Sequence, residues 1–134
     1  YHIIDGEERT TAFFVEGDAI SSHTSYLNQT PASHYLACVE DCTLAVLSYE
    51  NDQKLFRLIP ELGNLCRVNM EQEFGKQQEV LATYLTKNPE ERYLMLMETK
   101  PDLLQRVPQY HLASFIGVQP ESLSRIRKRL AKRS

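Results

Sequence analysis

The sequence holds only three cysteines in 134 residues. Three thiols cannot build the disulfide framework of a small secreted domain, so a reducing cytoplasm is the expected setting. No apolar run approaches the ~18–20 residues a membrane-spanning helix requires, and nothing resembles a signal peptide, so no membrane partner is expected. Repeats and low-complexity segments are missing. So are a glycine-rich phosphate loop, a nucleophile motif and paired acidic residues at metal spacing, which argues against an enzyme. Cys38 and Cys42 lie close in sequence, Cys66 is distant, and none of His2, His23, His34 and His111 stands at a ligand spacing from them. The cysteines therefore read as buried small apolar residues, and no metal or other cofactor is expected.

What is present is ordinary in bulk: 42% hydrophobic and 25% charged residues, enough for one compact domain or two small ones. The net charge of -3 hides a split. Residues 101–134 hold seven basic residues (Arg106, Arg125, Arg127, Lys128, Arg129, Lys132, Arg133) against Asp102 and Glu121, a net +5, whereas residues 1–100 hold eight basic and 16 acidic residues, a net −8. A basic end on an acidic body points to a polyanionic partner.

Three zones follow in order. Residues 1–50 predict short strands at Tyr1-His2-Ile3-Ile4, Ala12-Phe13-Phe14-Val15, Tyr35-Leu36-Ala37-Cys38-Val39 and Thr43-Leu44-Ala45-Val46-Leu47. Asp5-Gly6, Glu16-Gly17-Asp18 and Asn28-Gln29-Thr30-Pro31 punctuate them. So few strands bury one face poorly, and the chain opens without Met, which suggests a β domain lacking its N-terminal part. From 51 to 87 the pattern is helical, with apolar residues at Leu55, Leu58/Ile59, Leu62, Leu65/Cys66, Met70, Phe74, Leu81 and Leu85. Pro60 splits it into a short helix and a long one from about Glu61. Gln77 interrupts the narrow seam of the long helix. Such a seam suits either contact with a second helix, hence a homodimer, or packing on a sheet of the same chain.

The third zone, 88–134, begins with a helix start, Asn88-Pro89-Glu90-Glu91, in capping-box order. Its informative part lies further on. If Gly117 is the turn of a helix-turn-helix, Leu112, Ala113 and Ile116 face inward before it. Val118 then plugs the turn, and Leu123 and Ile126 line the second helix. Gly permits the left-handed backbone that the turn needs, and Pro120 suits a helix start. The outer face of the second helix offers Gln119, Glu121, Ser122, Ser124, Arg125, Arg127, Lys128 and Arg129. These groups suit base edges and phosphates of double-stranded DNA.

The stretch Pro108-Gln109-Tyr110-His111-Leu112-Ala113-Ser114-Phe115-Ile116-Gly117-Val118-Gln119-Pro120-Glu121-Ser122-Leu123-Ser124-Arg125-Ile126-Arg127-Lys128 resembles the DNA-binding end of the cyclic-AMP receptor protein and fumarate-nitrate regulator (Crp/Fnr) family, most closely its Bacteroidetes branch. The resemblance implies an α+β fold. It comprises a partial jelly-roll sensor over 1–50, a hinge and dimerisation helix over 51–87, and a helix-turn-helix domain over 88–134. It implies a transcription regulator that reads a palindromic site through a helix at about 120–131, with RNA polymerase as a further partner. Glu121 and Arg125 match the family's base-reading Glu and Arg, suited to cytosine N4 and to guanine O6/N7 or a phosphate. Ser122 and Ser124 suit base or phosphate, and Gln109 and Tyr110 match phosphate-contacting positions. There are two departures. Pro120 stands where the family often has another Arg, and the sequence ends where a β-hairpin wing usually follows, leaving Arg127-Lys128-Arg129 and Lys132-Arg133 to meet phosphates.

In nucleotide-binding relatives, a Glu and an Arg-Ser or Arg-Thr pair hold the ribose and the cyclic phosphate. Here Ser22 falls at the Glu position, and Ala32-Ser33 at the Arg-Ser position. Burying a phosphate without its cation typically costs ~3–5 kcal/mol, so conventional cyclic-AMP binding is not expected and the effector stays open. The competing reading is a dimeric sensor or adaptor whose basic helix meets an acidic protein.

Overall fold

Asp5-Gly6 closes the one strand pair among residues 1–132, the residues that the computed structural model describes. Both residues take positive φ, +53° and +78°, the combination a two-residue type I′ hairpin turn requires. Strand β1 (His2–Ile4) pairs antiparallel with β2 (Glu7–Arg9) in the register His2↔Arg9, Ile3↔Glu8, Ile4↔Glu7. The remaining elements are helices: α1 (His23–Asn28), α2 (Tyr49–Leu58), α3 (Glu61–Thr86), α4 (Pro89–Thr99), α5 (Leu103–Arg106), α6 (Gln109–Ile116) and α7 (Pro120–Ala131).

This overturns the jelly-roll expectation, and with it the α+β assignment. The chain is mostly helical (58%), with a two-stranded sheet in place of the β domain that the sequence predicts. Of the predicted strands only the first forms; residues 12–15, 35–39 and 43–47 have no ladder partner among the described residues. The physical reason is that a strand is completed by a neighbour elsewhere in the chain, and short apolar runs do not specify one. Phe13 and Val15 instead turn onto the helical core. Cys38, Cys42 and Cys66 are exposed, which corrects the expectation that they are buried.

The chain divides into two compact units, residues 42–87 and residues 1–41 with the chain from Asn88 onward. In the first, α2 packs on α3. The Ser48 side chain caps α2, accepting from the Asn51 N–H at 3.3 Å. Pro60 then precedes the 26-residue α3, as its missing N–H allows. A helix covered by a sheet buries one stripe along its length; α3 buries no residue. Its Leu65, Met70, Phe74, Leu81 and Leu85 all stand exposed.

The second unit carries the core. Tyr93, Leu96, Leu103, Val107, Leu112, Ala113, Ile116, Leu123 and Ile126 are buried together, with Phe13, Val15, Leu104, Phe115, Val118 and Leu130 packed against them. At the start of α4, Asn88 accepts from the Glu91 N–H at 3.1 Å, and the Glu91 carboxylate accepts from the Asn88 N–H at 2.8 Å. That is the capping box which the sequence predicts.

Candidate nucleic-acid interface

Two helices and the glycine between them set the geometry. Gly117 takes φ +84°, the left-handed conformation a side chain resists. Its N–H and that of Val118 turn back to the end of α6, reaching the Ala113 carbonyl at 2.9 Å in both cases. The Gly117 N–H also reaches the Ser114 carbonyl, at 3.1 Å. These paired bonds satisfy carbonyls that a helix end would otherwise leave open, and they fix the angle at which the chain departs. Gln119 and Pro120 then start α7, Gln119 in extended backbone and Pro120 in the first turn.

Ala113 is fully buried, consistent with a close approach of the two helices where only a small side chain fits. Leu112, Ile116 and Leu123 are the largest fully buried side chains, and Ile126 continues the inner face of α7. All the apolar positions counted out from Gly117 are therefore buried or half-buried. With 100° per residue, a helix that buries 123 and 126 turns 121, 125, 128 and 132 the opposite way. Glu121, Arg125, Lys128 and Lys132 are indeed exposed. An open hollow lined by Arg125, Lys128, Arg129 and Lys132 lies along this surface.

Each candidate residue now has a place. Glu121 sits in the first turn of α7, where the positive end of the helix dipole favours a carboxylate. The Arg125 guanidinium donates from Nη2 to Ser122 Oγ at 3.0 Å, a local bond that holds the long side chain near the middle of the outer face. Ser122 and Ser124 flank that face, half-buried. Gln119 and Lys128 are exposed, and Tyr110 is 57% exposed near the start of α6. Gln109 does something the sequence does not announce. Its Nε2 donates to the Pro120 carbonyl at 3.0 Å, so it ties the start of α6 to the start of α7. Arg133 lies outside the described residues.

Other contacts also escape the sequence. Arg92 of α4 donates from Nη1 to the Ile116 carbonyl at 2.6 Å, closing the end of α6. Arg129 pairs with Glu90, which anchors the later part of α7 to α4. The remaining candidates lie in the N-terminal segment. Ser22 precedes α1, half-buried, while Ala32 and Ser33 are exposed in irregular chain, and the described residues form no β-roll around the three. No helix is long and apolar enough to cross a membrane, and no group of three or more potential metal ligands gathers among the described residues.

Arg106, counted among the seven basic residues of the C-terminal end, is held by acids from the N-terminal segment. Nη1 donates to Glu16 Oε2 at 3.0 Å, Nη2 to Glu16 Oε1 at 2.7 Å, and Nε to Glu40 Oε1 at 2.9 Å. The Arg106 hydrogen bonds, above all, lower the Glu16 carboxyl from its ordinary 4.5 to about 2. A carboxyl with a depressed folded pKa contributes its pairing above the unfolded value and loses it as pH falls through the folded one. The clasp should therefore be intact above pH 4.5 and open as the pH falls toward 2. Carbon-13 NMR of the side-chain carboxyl checks this: Glu16 should titrate near 2 in the unsubstituted chain, and its midpoint should rise in Arg106→Ala while staying below the ordinary 4.5, because a backbone hydrogen bond still favours the carboxylate. An unchanged midpoint in the variant would remove Arg106 as the cause.

Compared with protein-family models, curated proteins and solved structures, the chain matches none. The geometry and chemistry of its own residues therefore carry the functional reading.

Proposed function

We propose that this protein is a dimeric, sequence-specific DNA-binding transcription regulator that reads duplex DNA with α7. One observation carries the reading. Glu121, Arg125 and Lys128, with Lys132 just past the helix end, form an exposed polar and cationic line on a helix whose opposite side is locked into the core by Leu123 and Ile126. A helix of this kind fits the major groove, where hydrogen-bonding groups meet base edges and cations meet phosphates. The resemblance of residues 108–128 to the DNA-binding end of the Crp/Fnr family supports the same reading. RNA polymerase is the further partner such a role implies.

The unpartnered apolar residues of α3 support a homodimer. Phe74 is 66% exposed and Leu85 78%, and a second copy would cover such a stripe without any sheet. Two recognition helices would then meet half-sites about one helical turn, ~34 Å, apart. Sedimentation of the double variant Leu62→Glu, Leu65→Glu should show monomers, whereas a surviving dimer would take α3 out of the interface. Selection of bound duplexes from a random-sequence pool tests the function itself. A complex that tolerates high salt and forms only with an acidic protein would favour an adaptor instead, because phosphate contacts release counterions and weaken steeply with salt.

A further inference from the structure

The clasp on Arg106 has a construction that an incidental surface ion pair lacks. Residues 8–18 run along α6 and are pinned at several points. The Thr10 N–H donates to Ser114 Oγ at 2.9 Å, and that hydroxyl donates to the Glu8 carbonyl at 3.2 Å. The rings of Phe13 and Phe115 meet at 5.1 Å. The segment then makes a tight turn. The Asp18 N–H donates to the Val15 carbonyl at 3.0 Å, the Val15 N–H donates to Asp18 Oδ2 at 2.9 Å, and Gly17 takes φ +87°. Positive φ at the third residue is what a type II turn demands, and it leaves Glu16 as the second residue. Glu16-Gly17-Asp18, which the sequence marks as turn punctuation, thus presents a carboxylate to Arg106.

We propose that Arg106 is a further DNA-phosphate-binding residue, held in reserve by Glu16 and Glu40. The inference rests on the DNA-binding reading above. Arg106 stands three residues before Gln109, within about 10 Å of chain from the start of α6, where Tyr110 is exposed and Gln109 reaches across to α7. Its guanidinium engages Glu16 through two parallel N–H···O bonds. A phosphate accepts from arginine in that same two-pronged manner, so the carboxylates occupy the donors that a phosphate would use. The exchange is easy because the pairs face water. Side-chain exposure is 35% for Arg106, 46% for Glu40 and 77% for Glu16, and ion pairs this open hold weakly. The N-terminal segment therefore lowers the affinity of the unliganded chain for DNA by occupying Arg106, while the outer face of α7 stays exposed.

Binding of the full chain to a mixed-sequence DNA duplex, measured across a range of salt concentrations, tests this. Glu16→Gln with Glu40→Gln should bind about threefold or more tightly per chain, and the slope of log affinity against log salt should steepen by about 0.9 per chain. Adding Arg106→Gln should abolish both gains. The charge-matched control Asp5→Asn with Glu98→Gln, two exposed acids outside the clasp, should gain less. A gain no larger than the control, or one that survives Arg106→Gln, would overturn the proposal while leaving DNA binding by α7 intact. Absence of duplex binding in every variant, the unsubstituted chain included, would overturn both. NMR of the unsubstituted chain gives a second readout: adding duplex should shift the Arg106 Nε resonance, and an unmoved resonance in a formed complex would contradict the proposal.

Discussion

Replacing Leu123 with Ala should destabilise the helix-turn-helix unit by about 2–5 kcal/mol, because deleting a buried side chain loses its transfer energy and leaves a cavity. Leu123 is 0% exposed and sits among Leu112, Ala113 and Ile116, so little around it is free to collapse inward. Domains have total stabilities of only about 5–15 kcal/mol, which makes this one truncation a large fraction of the whole. Amide hydrogen exchange in α6 and α7 reads the local cost without assuming that both units unfold together. Protection there should fall by the same few kcal/mol. Leu36→Ala, at a position 63% exposed, should change it by no more than about 0.5 kcal/mol. A Leu123→Ala variant that loses less than about 1 kcal/mol would mean that the two helices are not held by this core.

Arg125→Ala should weaken binding to the protein's own site by about 1–3 kcal/mol, roughly 5- to 150-fold, and relax the preference at one base pair. The effect is specific because Arg125 lies opposite the buried face of α7, where Ser122 orients its guanidinium. Lys128→Ala offers the contrast. A lysine that meets phosphate should weaken binding about equally on every sequence and reduce the salt dependence by about one counterion. Competition titrations with single-base variants of the site separate the two. If Arg125→Ala leaves both affinity and base preference unchanged, Arg125 does not read a base.

The helix-turn-helix was legible in the sequence because its constraints are local and steric. A left-handed Gly117, a small Ala113 and apolar residues at fixed offsets all fall within fifteen residues, from Leu112 to Ile126. The start of α4 was legible for the same reason, since Asn88 and Glu91 satisfy each other's backbone within one turn. The first 50 residues were not. Leu44, Val46 and Leu47 read as a strand by composition, yet all three are exposed and unpaired in any ladder, because a ladder depends on partners that composition does not name. The clasp was hidden more deeply: Arg106 meets Glu40 across 66 positions and Glu16 across 90. In sequence Arg106 belongs to the basic end, but the fold pairs it with Glu16 and Glu40 of the acidic segment.

The most direct measurement is selection of duplexes bound by the intact chain from a random-sequence pool. DNA reading by two α7 helices predicts enrichment of an inverted repeat whose half-sites lie about one helical turn apart, with affinity falling steeply as salt rises. A pool that stays random after repeated selection at low salt would contradict it.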